Sequence, residues 1–360
     1  MKILFISRAT LYTNKGGDTI QILNTAKSLQ QEGVAVDIKL CNEKIDYNKY
    51  DLIHFFSIIR PADILQHIYT SGKPYVISTI YVDYAEFDQN VRKGFTGFLF
   101  KLLPADFIEY VKTMARAIVN GEKIISPQYI WIGHRKSIKK IIRGSSFLLP
   151  NSNNEYKRLV ATYNIQHPYK TIPNAIDTTL FCNNESAEKD NNLVLCVGRI
   201  EGLKNQLNLI KALNNTAFQL LIIGAPTLNQ PEYYKNCKNA AGKNIHFIES
   251  LRQQELIKYY AKAKVHVLPS WFETTGLSSL EAAAMGCNVV ITNKGDTKEY
   301  FEEMAFYCDP ASPASIRKAI EKAATTPCSL ALQEKINTQY TWPVAAAKTL
   351  EVYRQVLYNN

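Results

Sequence analysis

Two carboxylates in the C-terminal half are the residues best placed to do chemistry. Glu273 and Glu281 lie in the segment PSWFETTGLSSLEAAAMG, where a predicted strand gives way to a helix. Each carboxylate can accept paired O–H hydrogen bonds, which suits the recognition of sugar hydroxyls. Thr274 or Thr275 can cap this helix, and the amides around residues 275–278 offer a positive dipole end to phosphate. Either glutamate alone would be commonplace, as a solvated helix residue or a favourable N-terminal charge.

Two cations follow another predicted strand. Arg199 and Lys204 lie five positions apart in VGRIEGLKN, before a helix. Ligands of doubly wound sheets bind at the carboxyl ends of strands. At such a position two cations can hold one anion, such as a diphosphate, and stabilise its leaving charge. The alternative is a pair of solvated surface cations.

A third loop contains paired glycines. Gly16 and Gly17 end the segment RATLYTNKGGD, between the first predicted strand and the first helix. Glycine lets the backbone approach a ligand closely, and amides there could hold phosphate at the helix N-terminus. A tight turn before a helix explains the same residues equally well.

These loops are positioned by alternating strand-like and helix-like patterns, which predict a parallel sheet covered by helices on both faces. The pattern occurs twice, so we expect an α/β protein of two domains, residues 1–167 and 168–343. A polar loop is expected from Cys182 to Asn192. The predicted strands are Lys2–Ser7, Val34–Leu40, Leu52–Phe56, Tyr75–Thr79, Ser146–Pro150, Tyr169–Pro173, Leu193–Val197, Phe218–Ile223, Ile245–Ile248, Val265–Leu268 and Asn288–Ile291.

Composition narrows the class of protein. The 360 residues include seven scattered cysteines and no CxxC pair, which indicates free thiols rather than a disulfide framework or a zinc site. We see no signal peptide and no run long enough to span a bilayer. The expected location is the cytoplasm, and no nucleic-acid-binding motif occurs.

The positive charge is concentrated in one stretch. Residues 89–143 contain eleven Lys or Arg and three Asp or Glu, which is +8 of the total +10. Aromatic residues accompany the cations in GFTGFLFKLL (94–103) and precede HRKSIKKIIR (134–143). One interpretation is an amphipathic surface that rests on anionic lipid at the cytoplasmic face of a membrane. The other is a helix pair packed on the first domain with a solvated cationic face.

The combination of motifs resembles retaining glycosyltransferases of family 4, which have the GT-B fold. Glu273 and Glu281 have the E-x7-E spacing of that family. The glycine pair at 16–17, PNAID at 173–177 and VGRI with Lys204 follow in the family's order. The resemblance is close in the C-terminal half. It implies two doubly wound Rossmann-like domains facing a central cleft, with the C-terminal helix 344–360 packing back on the first domain.

The resemblance also implies roles for individual residues. Arg199 and Lys204 would grip the diphosphate of a nucleotide-sugar donor. Glu273 would bind the hydroxyls of the transferred sugar, and Glu281 those of the ribose. Catalysis would thus depend on Glu273, Arg199 and Lys204. Further donor-binding residues would be Gly16, Gly17, Gly198, Thr275, Gly276, Leu277 and Ser278. Residues 249–251 would lie beside the base, and Glu299 stands where the family often has another acidic residue.

One part of the family pattern is absent. The family often has a histidine after the strand that ends near Thr79, but the sequence here is STIYVD. Tyr81 and Asp83 are the candidates to act on the acceptor side. His54, on the preceding strand, is interpreted as structural.

The implied activity is retaining transfer of a hexose-like sugar to a glycan or lipid-linked acceptor, in cell-surface polysaccharide synthesis. The sequence has no Asp-x-Asp motif, so we expect no metal or other cofactor beyond the sugar nucleotide. Alternatives are a sugar-nucleotide epimerase, a non-catalytic nucleotide-sugar-binding protein and a Rossmann oxidoreductase. The last lacks G-x-G-x-x-G in its first turn.

Overall fold

The computed structural model describes residues 1–82, 106–108, 110–111, 113, 126–182 and 188–358. The chain divides into two compact units. The first comprises Met1–Asn174 with Trp342–Asn360, and the second comprises Ala175–Thr341. Asp83 and the predicted apolar run 94–103 lie outside the described residues.

The first unit is built on a five-stranded parallel sheet with the strand order β2-β1-β3-β4-β5. Its strands are β1 (Lys2–Ser7), β2 (Ala35–Leu40), β3 (Leu52–Phe56), β4 (Tyr75–Ser78) and β5 (Phe147–Leu149). Before residue 174, the helices whose first and last residues are described are α1 (Gly17–Gln31), α2 (Pro61–Ser71), α3 (Pro127–Ile132), α4 (His134–Gly144) and α5 (Asn153–Tyr163). Each predicted strand from Lys2 to Pro150 is confirmed to within one residue.

The second unit has a six-stranded parallel sheet with the order β11-β10-β9-β6-β7-β8. Its strands are β6 (Asp190–Val197), β7 (Gln219–Ile223), β8 (Ile245–Ile248), β9 (Ala263–Leu268), β10 (Asn288–Thr292) and β11 (Phe306–Cys308). Its helices are α6 (Gln206–Leu213), α7 (Pro231–Ala240), α8 (Gln253–Lys262), α9 (Leu277–Ala284), α10 (Thr297–Phe301), α11 (Pro313–Thr325) and α12 (Leu330–Gln339). The final helix, α13 (Trp342–Tyr358), belongs to the first unit and packs against α1.

Alternate residues of β6 show that helices cover both faces of the second sheet. Val194 and Cys196 pack in one apolar core with α6 and α11. Leu195 and Val197 point the other way and pack with α8, α9 and α12. Successive side chains of a strand face opposite sides, so a strand buried on both faces is apolar throughout. The predicted doubly wound architecture is confirmed for this unit.

Three details of the predicted secondary structure are wrong. The predicted strand Tyr169–Pro173 is not among the strands of the sheet and forms an isolated bridge between Tyr169 and Leu148, although the Lys170 and Ile172 amides donate to the Leu148 and Pro150 carbonyls. The predicted loop from Cys182 to Asn192 ends earlier, since β6 already begins at Asp190. The short strand β11 was not predicted, because three residues give too little periodicity to detect.

His54 lies at the centre of the first unit's sheet and is fully buried. Its Nδ1 atom is 2.6 Å from the Tyr353 hydroxyl on α13, and its Nε2 atom is 2.8 Å from Ser78 Oγ on β4. Burial lowers the pKa of His54 to about 3, so the ring is neutral at physiological pH. The residue therefore joins the C-terminal helix to the sheet.

This burial predicts a loss of stability in acid. The unfolded chain binds a proton at His54 near its ordinary pKa of 6.5, whereas the folded chain does not until about 3. Stability is therefore fully present above about pH 6.5 and falls as the pH is lowered toward 3, by about 2 kcal/mol at about pH 5. His54→Gln should remove this part of the pH dependence, measured by urea unfolding at neutral and acidic pH.

The exposed His246 on β8 is the matched control. His246→Gln should leave the acid slope of the unfolding free energy unchanged. His266 on β9 is also buried with a pKa of about 3, so a residual slope is expected in His54→Gln. A slope identical to that of the unsubstituted chain would contradict the assignment to His54.

The basic segment gives a mixed outcome. Helix α4 buries Ser137, Ile138, Ile141 and Ile142 within the first unit. The apolar side of this helix is therefore not available to a membrane. Residues 134–143 thus pack through their apolar side, as the second interpretation requires, and their cationic face remains solvated. Among the described helices, none is both long and apolar enough to cross a bilayer.

Candidate functional site

The direction in which successive strands are added to the second sheet reverses between β6 and β9. Strands β7 and β8 extend the sheet on one side of β6, and β10 and β11 extend it beyond β9 on the other. At such a switch point the loops after the two central strands diverge and leave a crevice for ligands. The loops that follow β6 and β9 are the ones that contain the predicted cations and carboxylates.

Lys204 and Glu273 meet at this point. Lys204 ends a 3-10 turn, Gly202–Lys204, and its Nζ atom lies 2.6 Å from Glu273 Oε2. Their side chains are 18% and 9% exposed, so the pair is largely removed from water. Ser270 Oγ donates a second hydrogen bond to the same carboxylate oxygen, at 3.0 Å. A cation and a carboxylate are thus held together where an anionic, polyhydroxylated ligand could use both.

The backbone fixes the distance between the two loops. The Trp271 amide donates to the Leu203 carbonyl at 2.9 Å, and the Asn205 side-chain amide donates to the Pro269 carbonyl at 3.0 Å. Asn205 adopts a left-handed conformation, which asparagine tolerates better than most residues. These contacts bring Lys204 to Glu273 without help from a ligand.

A third loop secures the Glu273 backbone. The Glu273 amide donates to the Lys294 carbonyl, and the Asp296 amide donates to the Glu273 carbonyl. Gly295 lies between these contacts, where a Cβ atom would come within 2.1 Å of the Glu273 carbonyl oxygen. Glycine is therefore required there, and the loop after β10 contributes to the site through its backbone.

Helix α9 begins beside the ion pair. Gly276 is its N-cap residue, with a φ of 75° that glycine adopts readily. The prediction that a threonine caps this helix is wrong: Thr275 is buried before the cap. Ser278 Oγ donates to the Val197 carbonyl at 2.8 Å, which ties the first turn to the end of β6. Leu277 and Ser278 place their amides in the first turn, where helical geometry leaves N–H groups without intrahelical acceptors.

Glu281 lies one turn further along α9 and is 6% exposed. Its Oε1 accepts from Gln253 Nε2 at 2.7 Å and its Oε2 from the Tyr260 hydroxyl at 2.9 Å. Burial raises the pKa of Glu281 to about 7, and the two hydrogen bonds oppose that rise. Both oxygens have a remaining lone pair to offer to ligand hydroxyls.

The raised pKa predicts that Glu281 destabilises the fold above neutral pH. In the unfolded chain its pKa is 4.5, so the folded state holds the proton more tightly. Stability from this group is fully present below about pH 4.5 and is lost as the pH rises through about 7, a change of about 2 to 3 kcal/mol between about pH 5 and about pH 8. Glu281→Gln should abolish this change and leave the variant more stable than the original chain at alkaline pH.

The measurement is urea unfolding of both chains across this pH range. Glu334→Gln, a change at an exposed glutamate of α12, is the matched control and should reproduce the original profile. If Glu281→Gln and the original chain change in parallel, Glu281 is not a buried carboxylate with a raised pKa.

Arg199 and Gly198 also stand at the end of β6. The Arg199 side chain is about half exposed, and its Nη2 atom lies 3.2 Å from Glu201 Oε1, which orients the guanidinium. The Gly198 amide donates to the Ile223 carbonyl at 3.0 Å and is therefore already satisfied. The Arg199 guanidinium is thus accessible to a ligand, whereas the Gly198 amide is used in a hydrogen bond to β7.

Gly16 and Gly17 lie in the first unit, at the N-terminus of α1. The loop before them is organised by Arg8, which forms a bidentate ion pair with Asp18 at 2.6 and 3.0 Å. Arg8 also donates to Thr10 and to the Asn14 carbonyl. The Arg8 guanidinium thus uses its donors to hold this loop. That role was not predicted from the sequence, where only the glycine pair stood out.

On the acceptor side, Tyr81 is engaged in the first unit's own packing. Its amide donates to Glu155 Oε1 at 2.9 Å, and its hydroxyl donates to Thr162 Oγ1 at 3.1 Å. Glu155 is fully buried and also accepts from Thr79 Oγ1 and the Asn151 amide. The preceding residue, Ile80, has a φ of 42°, which is strained for a β-branched side chain.

The remaining candidates follow β8 and β10 of the second unit, two strands that are not neighbours in its sheet. Residues 249–251 directly follow β8, and Glu299 lies in α10, where its carbonyl accepts from the Tyr340 hydroxyl at 3.2 Å. Within the described part of the chain, no group of three or more His, Cys, Asp or Glu is arranged to hold a metal ion.

Sequence reasoning missed the residues that position the site. They are Ser270, Asn205, Gly295, Gln253 and Tyr260. Asn205 and Ser270 adjoin the predicted motifs, so their position after strands was an available signal. Gln253 and Tyr260 lie on a different helix from Glu281, and nothing in their local sequence indicates that contact.

Residues 179–339 match the family model described as Glycosyl transferases group 1. Among curated relatives, a glycogen synthase of Mycobacterium tuberculosis is 27% identical over 172 residues, which cover 44% of this chain and 42% of that protein. A D-inositol 3-phosphate glycosyltransferase of Arthrobacter sp. is 27% identical over 238 residues, 59% of this chain and 56% of that protein. The chain thus spans about half the length of these relatives.

Solved structures match over the whole chain. Sucrose-phosphate synthase from Thermosynechococcus elongatus aligns with a TM-score of 0.75 and 16% identity, covering 100% of both chains. Anabaena Alr3699/HepE, solved in complex with UDP, aligns with a TM-score of 0.71 and 15% identity, covering 99% of this chain and 100% of that one. At these identities the likeness establishes the fold, which is the predicted GT-B fold of two parallel-sheet α/β domains.

Proposed function

We propose that this chain, whose residues 179–339 match the glycosyl transferases group 1 model, transfers a hexose-like sugar from a nucleoside-diphosphate sugar. The acceptor is a glycan or a lipid-linked saccharide, in the synthesis of cell-surface polysaccharide. The main support is the buried Lys204–Glu273 pair at the switch point of the second sheet. It presents a cation for the diphosphate and a carboxylate for sugar hydroxyls at one place.

The reaction needs stabilisation of the departing diphosphate. Lys204 and Arg199 supply positive charge, and the first-turn amides of α9 add the positive end of a helix dipole. Because these groups are held by the fold before the donor arrives, little reorganisation is required during bond breaking. We infer that these fixed cations replace a divalent metal and that transfer is metal-independent.

The carboxylates orient the donor. Glu273, held by Ser270 and the loop after β10, binds hydroxyls of the transferred sugar. Glu281, held by Gln253 and Tyr260, binds the ribose hydroxyls. We infer retention of anomeric configuration through attack from the face of the leaving phosphate, which accepts the acceptor's proton. The likeness to a UDP-bound structure makes uracil the first base to test.

The test is incubation of the protein with UDP-, GDP- and ADP-sugars, with analysis of products. Slow release of nucleoside diphosphate and free sugar, unaffected by EDTA, supports the proposal. Formation of an epimer would identify a sugar-nucleotide epimerase instead. Binding without turnover, across donors and acceptors, would identify a non-catalytic binding protein, and loss of turnover with EDTA would overturn metal independence.

A further inference from the structure

The solvent-facing side of α4 is uniformly cationic. Its buried residues form one side of the helix, and the other side presents Lys136, Lys139, Lys140 and Arg143. None of these four has a carboxylate partner among the residues that the structure describes. Lys140 instead lies over the ring of Tyr69, with Nζ 4.4 Å from its centroid. Within the described part of the chain, this side of the helix therefore presents positive charge that no carboxylate pairs with.

An exposed tryptophan precedes this helix. Trp131, the fifth residue of α3, is 90% exposed, whereas Trp271 and Trp342 are 8% and 4% exposed. Three further large apolar side chains of the first unit are exposed by 41 to 49%: Ile130, which adjoins Trp131 in sequence, and Phe107 and Val111. A side chain as large as indole, left in water, indicates a surface that contacts something apolar.

The apolar and cationic groups belong to adjoining elements. Only Gly133 separates α3 from α4. Asp106 and Tyr110 contact both helices: the Tyr110 hydroxyl donates to the Ile130 carbonyl at 3.1 Å, and Asp106 pairs with Arg135 at 2.8 Å. The apolar residues and the cations thus occupy one region of the first unit.

We propose that this region docks on an anionic lipid bilayer. The membrane-docking surface is defined as Phe107, Val111, Ile130, Trp131, Lys136, Lys139, Lys140 and Arg143. The cations are attracted to anionic headgroups, each contributing on the order of 1 kcal/mol near the surface. The tryptophan enters the interface between headgroups and acyl chains, which is the environment that its amphipathic ring prefers.

The chemistry favours a bilayer over other partners. A nucleic acid would satisfy the cations but would leave Ile130, Val111 and Phe107 with little apolar surface to contact. A second copy of the chain would bring like charges together across a twofold axis, which opposes association. A bilayer satisfies both parts, because the anionic headgroups lie directly above an apolar layer.

The experiment is vesicle flotation of the full chain, with phosphatidylcholine vesicles compared with mixed phosphatidylcholine and phosphatidylglycerol vesicles. The chain should bind the mixed vesicles, and binding should weaken at high salt. The triple variant Lys136→Gln, Lys140→Gln, Arg143→Gln should bind about 100-fold more weakly. Trp131→Ala should bind about 10-fold more weakly, through lost apolar burial.

Intrinsic fluorescence adds a readout that charge alone would not change. Since Trp131 is the exposed one of the three tryptophans, mixed vesicles should shift its emission to shorter wavelength and protect it from aqueous quenchers. The shift should be absent in Trp131→Phe. No shift in the unsubstituted chain would overturn the insertion of this side chain.

The matched control removes the same amount of positive charge from the second unit. Lys211→Gln, Lys235→Gln, Lys318→Gln removes three exposed lysines and should retain vesicle binding. Equal loss in both triple variants would mean that net charge, and not this surface, drives binding, and would overturn the proposal. Protection of Trp131 that rises with protein concentration in the absence of vesicles would assign the surface to self-association and would also overturn it. Because no readout involves sugar transfer, the result is independent of the proposed activity.

Discussion

Replacing Glu273 by glutamine is expected to lower kcat/KM for the donor by about 10²- to 10³-fold. Glutamine keeps the size of the side chain and one acceptor for Lys204 and Ser270, so the fold should persist. What is lost is a charged acceptor for two sugar hydroxyls, and each hydrogen bond to a charged group contributes about 1.5 to 3 kcal/mol. Turnover of the donor identified by the nucleotide-sugar panel is the measurement.

A second measurement distinguishes this role from a general defect in the site. If Glu273 contacts the sugar and not the nucleotide, binding of the free nucleoside diphosphate should change by less than about 3-fold, which is below 1 kcal/mol. Glu334→Gln is the surface control for the loss of one negative charge. Nearly normal turnover in Glu273→Gln would remove this residue from the reaction.

Replacing Lys204 by methionine is expected to damage both activity and stability. The activity falls by about 10²- to 10³-fold because a fixed charge that stabilises the leaving diphosphate is gone. Stability falls by about 3 kcal/mol because the buried Glu273 carboxylate loses its cation. Binding of the free nucleoside diphosphate should weaken as well, in contrast to Glu273→Gln. The ion pair thus gives Lys204 a structural role beside its expected role in binding the diphosphate.

A double variant separates the two effects. Lys204→Met combined with Glu273→Gln removes both charges, so no uncompensated carboxylate remains and most of the lost stability should return. Turnover should stay low, because neither the diphosphate nor the sugar has its charged partner. Lys211→Met, on an exposed face of α6, is the control. A double variant as unstable as Lys204→Met would show that the cost does not arise from the isolated carboxylate.

Much of the fold could be predicted from local patterns. Short apolar runs such as Leu52–Phe56 are buried strands in the structure, because a parallel strand covered on both faces must be apolar throughout. Helix limits at glycines, as at Gly286 after α9, follow from backbone preference. What the patterns could not predict is strand order, which depends on contacts between residues far apart in sequence.

The site residues also divide into features that local sequence indicates and features that depend on contacts between distant residues. The types and spacing of Arg199, Lys204, Glu273 and Glu281 indicated a donor site, because a diphosphate and hydroxyls require cations and carboxylates. Thr274 or Thr275 was predicted to cap α9, but the cap is Gly276, whose positive φ no local pattern had revealed. A turn that depends on one unusual dihedral angle is determined by the tertiary packing of the residues around it.

By itself, the sequence determined which residues have the chemistry for a nucleotide sugar and that two α/β halves would position them. Only the tertiary structure decided that Lys204 is paired with Glu273 across 69 positions, at the switch point between β6 and β9. It also decided that Glu281 is buried beside Tyr260, so that its pKa rises to about 7. Distances, burial and pKa depend on neighbours brought together by strand order, and these neighbours are not adjacent in the chain.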